Sequence, residues 1–551
     1  MKKCIIAALS LLIIWNLAGC MEIPEVTEPV PVETTVQTQP METTEPPRVW
    51  NTGYVAALEP AVAYVDEQGN QVGTFIRGDQ VLYDGQELLV EEQIVYLQSG
   101  SVVADVTDAI PEHTLYVRSA VNLRDEDGRL LETFMDKGAA VTVTGYDYLE
   151  NGVPHMYQVD ETGYIMPWYV TDTEEAALAN YDDGHYATHA DRSNRFGGGS
   201  ADNLDYYPRV KGPIDGNVMP DECRTLYIAS WCVANIDAYI AIADECDINA
   251  FVVDIAAGSA IGYAGDVMNQ LCPSAAGAAA LSVEDYKAAI QKLQDKDYYV
   301  IGRIMAFNDD LLISDHPEYA ISNTEGQPMR LNGSYWPSPY NREVWQYKVD
   351  MAVEAVELMG FNEIQFDYVR FPDSLWRYEE SGTLDLQNTH GETKAQAIQR
   401  FLMYATDILH EKGVYVSADV YGESAFNYVT AYGQYWPAIS NVVDAISGMP
   451  YPDHFSQNGD WKPWEHPYET LKNWGDSVMA RQKETATPAA VRTWIQAYNA
   501  IREPYNTYGP DELAAQIKGL RDAGCTGGFM TWNPTSDPDK YWSLAPAFAA
   551  P

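Results

Sequence analysis

At 551 residues the chain is too long for one ordinary domain and calls for two to four. Its 80 acidic against 34 basic residues give a net charge of −46, which repels phosphate backbones and anionic lipid. Nucleic-acid binding and electrostatic membrane docking are thereby excluded, whereas a hydrophobic content of 46% supports sizeable cores. The 38 tyrosines and 14 tryptophans suit carbohydrate contact and β-rich packing equally.

The chain opens with Lys2 and Lys3 and an apolar run from Ile5 to Leu17, the pattern of a signal peptide over residues 1–19 and too short to span a membrane comfortably. Leu17-Ala18-Gly19-Cys20 resembles the bacterial lipobox, which implies lipidation of Cys20 and tethering to the outer face of the cell membrane. Cleavage before Cys20 removes two lysines and no acid, taking the charge from −46 to −48. Residues 20–48, rich in Pro, Thr and Glu, read as a disordered extended spacer.

Two small β units follow, at 49–108 and 109–172. Asp66-Glu67-Gln68-Gly69 recurs as Asp125-Glu126-Asp127-Gly128, and Thr74-Phe75 as Thr133-Phe134, at one fixed offset. The second unit resembles the bacterial SH3-like domain in Asn122-Leu123-Arg124, in the turn and strand from Lys137-Gly138 to Val143, and in Thr162-Gly163-Tyr164-Ile165. The first is a degenerate copy. The resemblance implies binding of cell-wall peptides, with a rigid spacer as the alternative. Residues 173–222, rich in Gly, Asp and Asn, form a linker or wrapping arm; His185 and His189 lie in it without an acidic partner at ligand spacing. Beyond the leader, Cys223, Cys232, Cys246, Cys272 and Cys525 show no Cys-x-x-Cys spacing, so they are buried thiols or one or two disulfides rather than a zinc site.

From 223 to 551, apolar strands at 225–231, 249–255, 298–307, 361–369, 414–421, 442–448, 491–498 and 525–532 alternate with helical stretches. The helices are expected at 283–294, 342–359, 393–412 and 510–523, the first with Ser282 as N-cap. Eight such repeats predict an α/β fold, a (β/α)₈ TIM barrel, whose active site lies at the C-terminal ends of the strands.

The fourth strand is the most unusual. Alternation places Gln365 and Asp367 on one face and Ile364 and Phe366 on the other, so polar side chains stand where a structural strand carries Val or Ile. Other strand ends supply Asp254, Arg303, Arg370, Asp419, Tyr421, Glu423, Tyr451, His454, Gln496 and Trp532. Carboxylates, arginines, amides and aromatic rings at one mouth fit a sugar site. Asp367 and Asp419, on adjacent strands, place their carboxyl groups anywhere from about 5 to about 9 Å apart, leaving retaining and inverting geometries both open. Crowding pushes their pKa values apart, as glycoside hydrolysis requires. Asp367 is the expected nucleophile or ion-stabilising carboxylate, facing an open rim and kept charged by Arg370. Asp419 is the first acid/base candidate and Glu423 the second. The other residues named are expected substrate contacts.

The string Gly360-Phe361-Asn362-Glu363-Ile364-Gln365-Phe366-Asp367-Tyr368-Val369-Arg370-Phe371-Pro372 resembles the hallmark of a bacterial glycoside hydrolase family once listed as a domain of unknown function. The likeness extends through Arg303 to Asp309, Trp336 to Asn341, Ser417 to Gly422, Tyr451-Pro452 and Trp494 to Ala497. It implies the barrel and hydrolysis of O-glycosyl bonds. Asp254-Ile255-Ala256-Ala257 departs from the family's Asp-x-Lys-Asp, placing a substrate contact there in question. The resulting expectation is a surface-anchored glycoside hydrolase, without metal or organic cofactor, acting on a cell-envelope or extracellular polysaccharide such as peptidoglycan. The alternatives are a non-catalytic wall- or glycan-binding lipoprotein and an envelope assembly factor.

Overall fold

A computed structural model of the protein describes residues 48–181, 197–373 and 375–548. The signal peptide, Cys20, the spacer up to residue 47, His185 and His189 lie outside the described residues. No helix among those described is long and apolar enough to cross a membrane.

Two seven-stranded antiparallel β units come first, running from Asn51–Ala56 to Ser101–Val103 and from His113–Val117 to Val170–Thr171. In both, the strands lie in the spatial order third, second, sixth, fifth, fourth, first, seventh. The repeated sequence is the same turn twice: Asp66 Oδ1 accepts the amides of Gln68 and Asn70, and Asp125 Oδ1 those of Asp127 and Arg129. Gly69 and Gly128 close these turns at φ 81°, a conformation that favours glycine. The degenerate first unit therefore keeps the topology of the second.

The barrel follows. Its strands are β1 (Cys223–Ile228), β2 (Ala250–Ala257), β3 (Tyr299–Met305), β4 (Glu363–Asp367), β5 (Tyr415–Tyr421), β6 (Ala445–Met449), β7 in two pieces (Ala490–Val491 and Thr493–Gln496) and β8 (Gly528–Trp532). All neighbours are parallel, and β8 pairs with β1; the first piece of β7 pairs with β6 and the second with β8, so the circle is nearly closed. Among the helices between and after them are α1 (Ile236–Glu245), α2 (Val283–Gln294), α3 (Arg342–Met359), α4 (Lys394–Glu411), α5 (Trp436–Ser440), α6 (Pro467–Glu484), α7 (Pro510–Ala523) and α8 (Pro538–Phe548). The expected helices are α2, α3, α4 and α7, and Ser282 Oγ caps α2 by accepting the Asp285 amide at 3.1 Å. Gly360 ends α3 in the left-handed region at φ 71°, turning the chain into β4.

Alternation along β4 sorts its side chains as read. Ile364 and Phe366 join the apolar layer beneath the helices, where Phe366 meets Phe401 of α4 at 5.2 Å between ring centroids. Glu363, Gln365 and Asp367 are buried and share the opposite face. At the lower level, Glu363 accepts two bonds from Arg492 Nη1 at 2.7 Å and one from the Tyr299 hydroxyl at 2.8 Å. The five described cysteines are all unpaired.

The second β unit packs on α3 and α4 and shares their apolar core. Arg124 Nη2 and the Tyr169 hydroxyl converge on Asp407 of α4 at 2.5 and 2.6 Å, and Arg342 Nε donates to Asn122 at 2.9 Å. The arm then crosses the barrel, and Lys211 Nζ ties it down through the carbonyls of Ser440, Val443 and Thr487, each at 2.6 Å.

Candidate active site

At the C-terminal ends of the strands, Arg303 of β3 gathers three acids. It sits between β2 and β4, opposite Asp254 and Gln365 in register, and its side chain is 3% exposed. Nη1 donates to Asp254 Oδ1 at 2.6 Å, Nη2 donates to Asp367 Oδ2, and Nε stands 3.5 Å from Asp419 Oδ2. The Tyr227 hydroxyl of β1 donates to the other Asp254 oxygen. Tyr227 and Trp532 also present their rings to the guanidinium, 5.7 and 5.6 Å from its central carbon. The cation beside Asp367 is thus Arg303 rather than Arg370, because β3 is hydrogen-bonded to β4 and its inward face meets Asp367 directly.

Asp367 closes β4. Tyr368, the next residue, takes a left-handed φ of 50°, unusual for a bulky side chain and a strain that functional sites store. Its amide thereby turns onto Asp367 Oδ1 at 2.6 Å. The alternation expected to continue to Val369 stops here, one reason that β4 is shorter than its sequence suggests.

Three carboxyls around one guanidinium carry more negative charge than it balances, and a buried charge is costly unless paired. Asp419 bears this cost most. Its Oδ1 accepts Trp494 Nε1 at 2.7 Å, while its buried Oδ2 has no hydrogen-bond partner. Burial and then the nearby Asp367 charge push its pKa well above the ordinary carboxylate value. Burial also raises Asp254, against the opposing pull of Arg303 and Tyr227.

A cavity of about 420 Å³ opens above the cluster, within the usual size of a small-molecule site. Asp254, Arg303, Asp367, Arg370, Tyr421, Tyr451, His454 and Trp532 all line it, so eight of the sequence candidates meet there. Asp367 is on its floor, 5% exposed, rather than projecting into solvent at the rim. Asp419 is 1% exposed and lies behind Arg303, outside the lining. Glu423 is exposed in an adjoining cavity of about 410 Å³ that shares Tyr421, Met449 and His454 with the first. The hydroxyls of Tyr428 and Tyr432 hold it at 2.8 and 3.0 Å. Gln496, expected to contact substrate, is fully buried outside the lining, bonded to the Asp453 amide and carboxylate at 3.2 Å. Alternation gave its face but not its partner.

Sequence reasoning missed Tyr227, Trp231, Tyr368 and Trp494, which also line the cavity. Trp231 follows β1 in a short 3₁₀ turn and is 55% exposed at the mouth. Tyr227 was findable, as an inward aromatic near the end of β1; Trp231 carries no such periodicity signal.

A parallel (β/α)₈ barrel with an aromatic cavity and a carboxylate cluster at the C-terminal ends of its strands has the architecture of a barrel enzyme. The chain belongs to the family described as "Putative glycosyl hydrolase domain", whose model matches residues 225–537, more than half of the sequence. It is an enzyme of the glycoside hydrolase class. A search of curated proteins found no match. Among solved structures, a hypothetical protein from Ruminiclostridium thermocellum ATCC 27405 is 33% identical, with 35% of this chain and 97% of that one covered at a TM-score of 0.30. A glycoside hydrolase family 20 β-N-acetylglucosaminidase is 13% identical, with 61% and 71% covered at 0.39. A family GH18 chitinase from Chromobacterium violaceum is 14% identical, with 62% and 86% covered at 0.34. These low TM-scores carry no argument about the site.

Proposed function

We propose that the protein cleaves a cell-envelope or extracellular polysaccharide by a two-carboxylate mechanism, anchored outside the cell through lipidated Cys20. The observation that carries this reading is Asp367, fixed by Arg303 and the Tyr368 amide on the floor of an aromatic cavity. In this mechanism Asp367 faces the anomeric carbon and answers the positive charge that develops there. Glu423 is the proposed acid/base: it is the candidate reached by solvent, and the groove beneath it runs into the Asp367 cavity past Tyr421 and His454. Asp419, sealed behind Arg303, supports the cluster from beneath rather than meeting the substrate. Rings such as Trp231 and Trp532 stack on pyranose faces, leaving hydroxyls to the polar groups of the lining.

The test is incubation of the wild-type protein with purified cell wall and with exopolysaccharide, following reducing ends and bound protein together. Release of reducing ends supports hydrolysis. Tight binding with no release would instead support a glycan-binding lipoprotein.

A further inference from the structure

Resting on that reading, we propose that the sugar bound in the cavity is acidic, its carboxylate seated on the guanidinium of Arg370. The turn at Tyr368 interrupts the strand alternation, and Arg370 lines the cavity although its side chain is only 5% exposed. Aromatic rings fix the guanidinium: its central carbon lies 4.3 Å from the ring centre of Tyr421 and 4.9 Å from those of Trp336 and Tyr368. One nitrogen, Nη1, makes all its protein hydrogen bonds, to the Phe371 carbonyl and to Asp373 Oδ1, both at 3.0 Å. Nε and Nη2 donate to nothing among the described residues, and neither is among the buried, unpartnered polar atoms. Both therefore remain reachable from the cavity.

Those two nitrogens are one edge of the guanidinium, with N–H bonds that run parallel and match the two oxygens of a carboxylate. A single sugar hydroxyl satisfies one of them and leaves the other unpaired. The cation is only part-neutralised, because its sole carboxylate partner among the described residues, Asp373, is 43% exposed and is shared with the Tyr421 hydroxyl at 3.2 Å. A uronic-acid carboxylate completes both the hydrogen bonding and the charge. The overall charge of −46 opposes an anionic ligand at long range, but that repulsion is screened beyond about 8 Å at physiological salt, so recognition falls to this contact.

The experiment measures equilibrium binding of glucuronate, galacturonate and mannuronate oligosaccharides, each beside its carboxyl-reduced counterpart. The proteins are wild type, Arg370→Lys and Asp373→Asn, with thermal melts to establish folding and reducing ends read in the same samples. We expect at least one acidic oligosaccharide to bind wild type about 10-fold or more tighter than its reduced form. Arg370→Lys, which keeps the charge and loses the paired donors, brings that ratio to within about threefold of unity. Asp373→Asn, which removes the competing carboxylate, increases it. No preference in wild type, a preference that survives Arg370→Lys, or a ratio that falls in Asp373→Asn would overturn the inference. Acid preference without cleavage would sink the hydrolase reading and leave this one standing; cleavage of neutral sugars without acid preference would do the reverse.

Discussion

Replacing Arg303 with Gln would expose how the carboxyl cluster is held. The change removes the 2.6 Å bond to Asp254, the bond to Asp367 and the 3.5 Å contact with Asp419, all at a side chain 3% exposed. Removing one partner of a buried ionic network costs about 3–5 kcal/mol, because the remaining charges lose their compensation. For a barrel of this size that lowers the melting temperature by on the order of 10 °C. Asp254 and Asp419 have folded pKa values above their unfolded ones, so their ionisation opposes folding as pH rises and protonation relieves that opposition as pH falls. Without Arg303 the opposition is larger. The gap between wild type and Arg303→Gln is therefore widest near pH 8 and narrows toward pH 4. Thermal melts of both proteins at the two pH values measure it, and a gap that is small or unchanged with pH would refute the charge account of the cluster.

Arg124→Ala breaks the buried bond to Asp407 between the second β unit and α4, and should cost about 3–5 kcal/mol. Calorimetry should then show a lowered transition or that unit melting ahead of the barrel; a transition left at the wild-type temperature would contradict this cost. Burial lowers the pKa of His410, but the Asp444 carboxylate 2.7 Å from its Nε2 outweighs this and leaves it raised. Its stabilisation is full below the unfolded value of about 6.5 and is lost as pH rises through the folded value. Denaturant titrations of His410→Gln should accordingly show a larger deficit at pH 5.5 than at pH 8.5. Trp231→Ala removes an exposed ring from the cavity mouth, and should raise KM about 5- to 30-fold with little change in melting temperature, the loss of about 1–2 kcal/mol of stacking. An unchanged KM would place the sugar elsewhere.

Periodicity made the barrel legible because its strands are apolar and alternate with amphipathic helices. It missed α1, whose preceding turn offers no side-chain cap, α6, which begins at Pro467 and carries a largely polar sequence, and also α5 and α8. In the site, alternation placed Asp367 and Asp419 on the correct face, yet face is not depth. Arg303 rises between them, leaving one acid on the cavity floor and sealing the other behind it. Proximity in sequence suggested Arg370 as the partner of Asp367, but hydrogen-bonded neighbours in a sheet are distant in sequence, and β3 supplied the cation. The two β units could be matched from a four-residue turn, because a turn requiring Asp and then Gly at φ 81° tolerates few alternatives.

The most direct test is the rate of reducing-end release from a cleaved polysaccharide by wild type and by Asp367→Asn, with folding confirmed for both. Asn is nearly isosteric and keeps one acceptor, for Arg303 or for the Tyr368 amide but not for both, and it lacks the carboxylate that meets the developing charge. A fall of at least about 100-fold is predicted. Equal rates from the two proteins would place the chemistry on another residue.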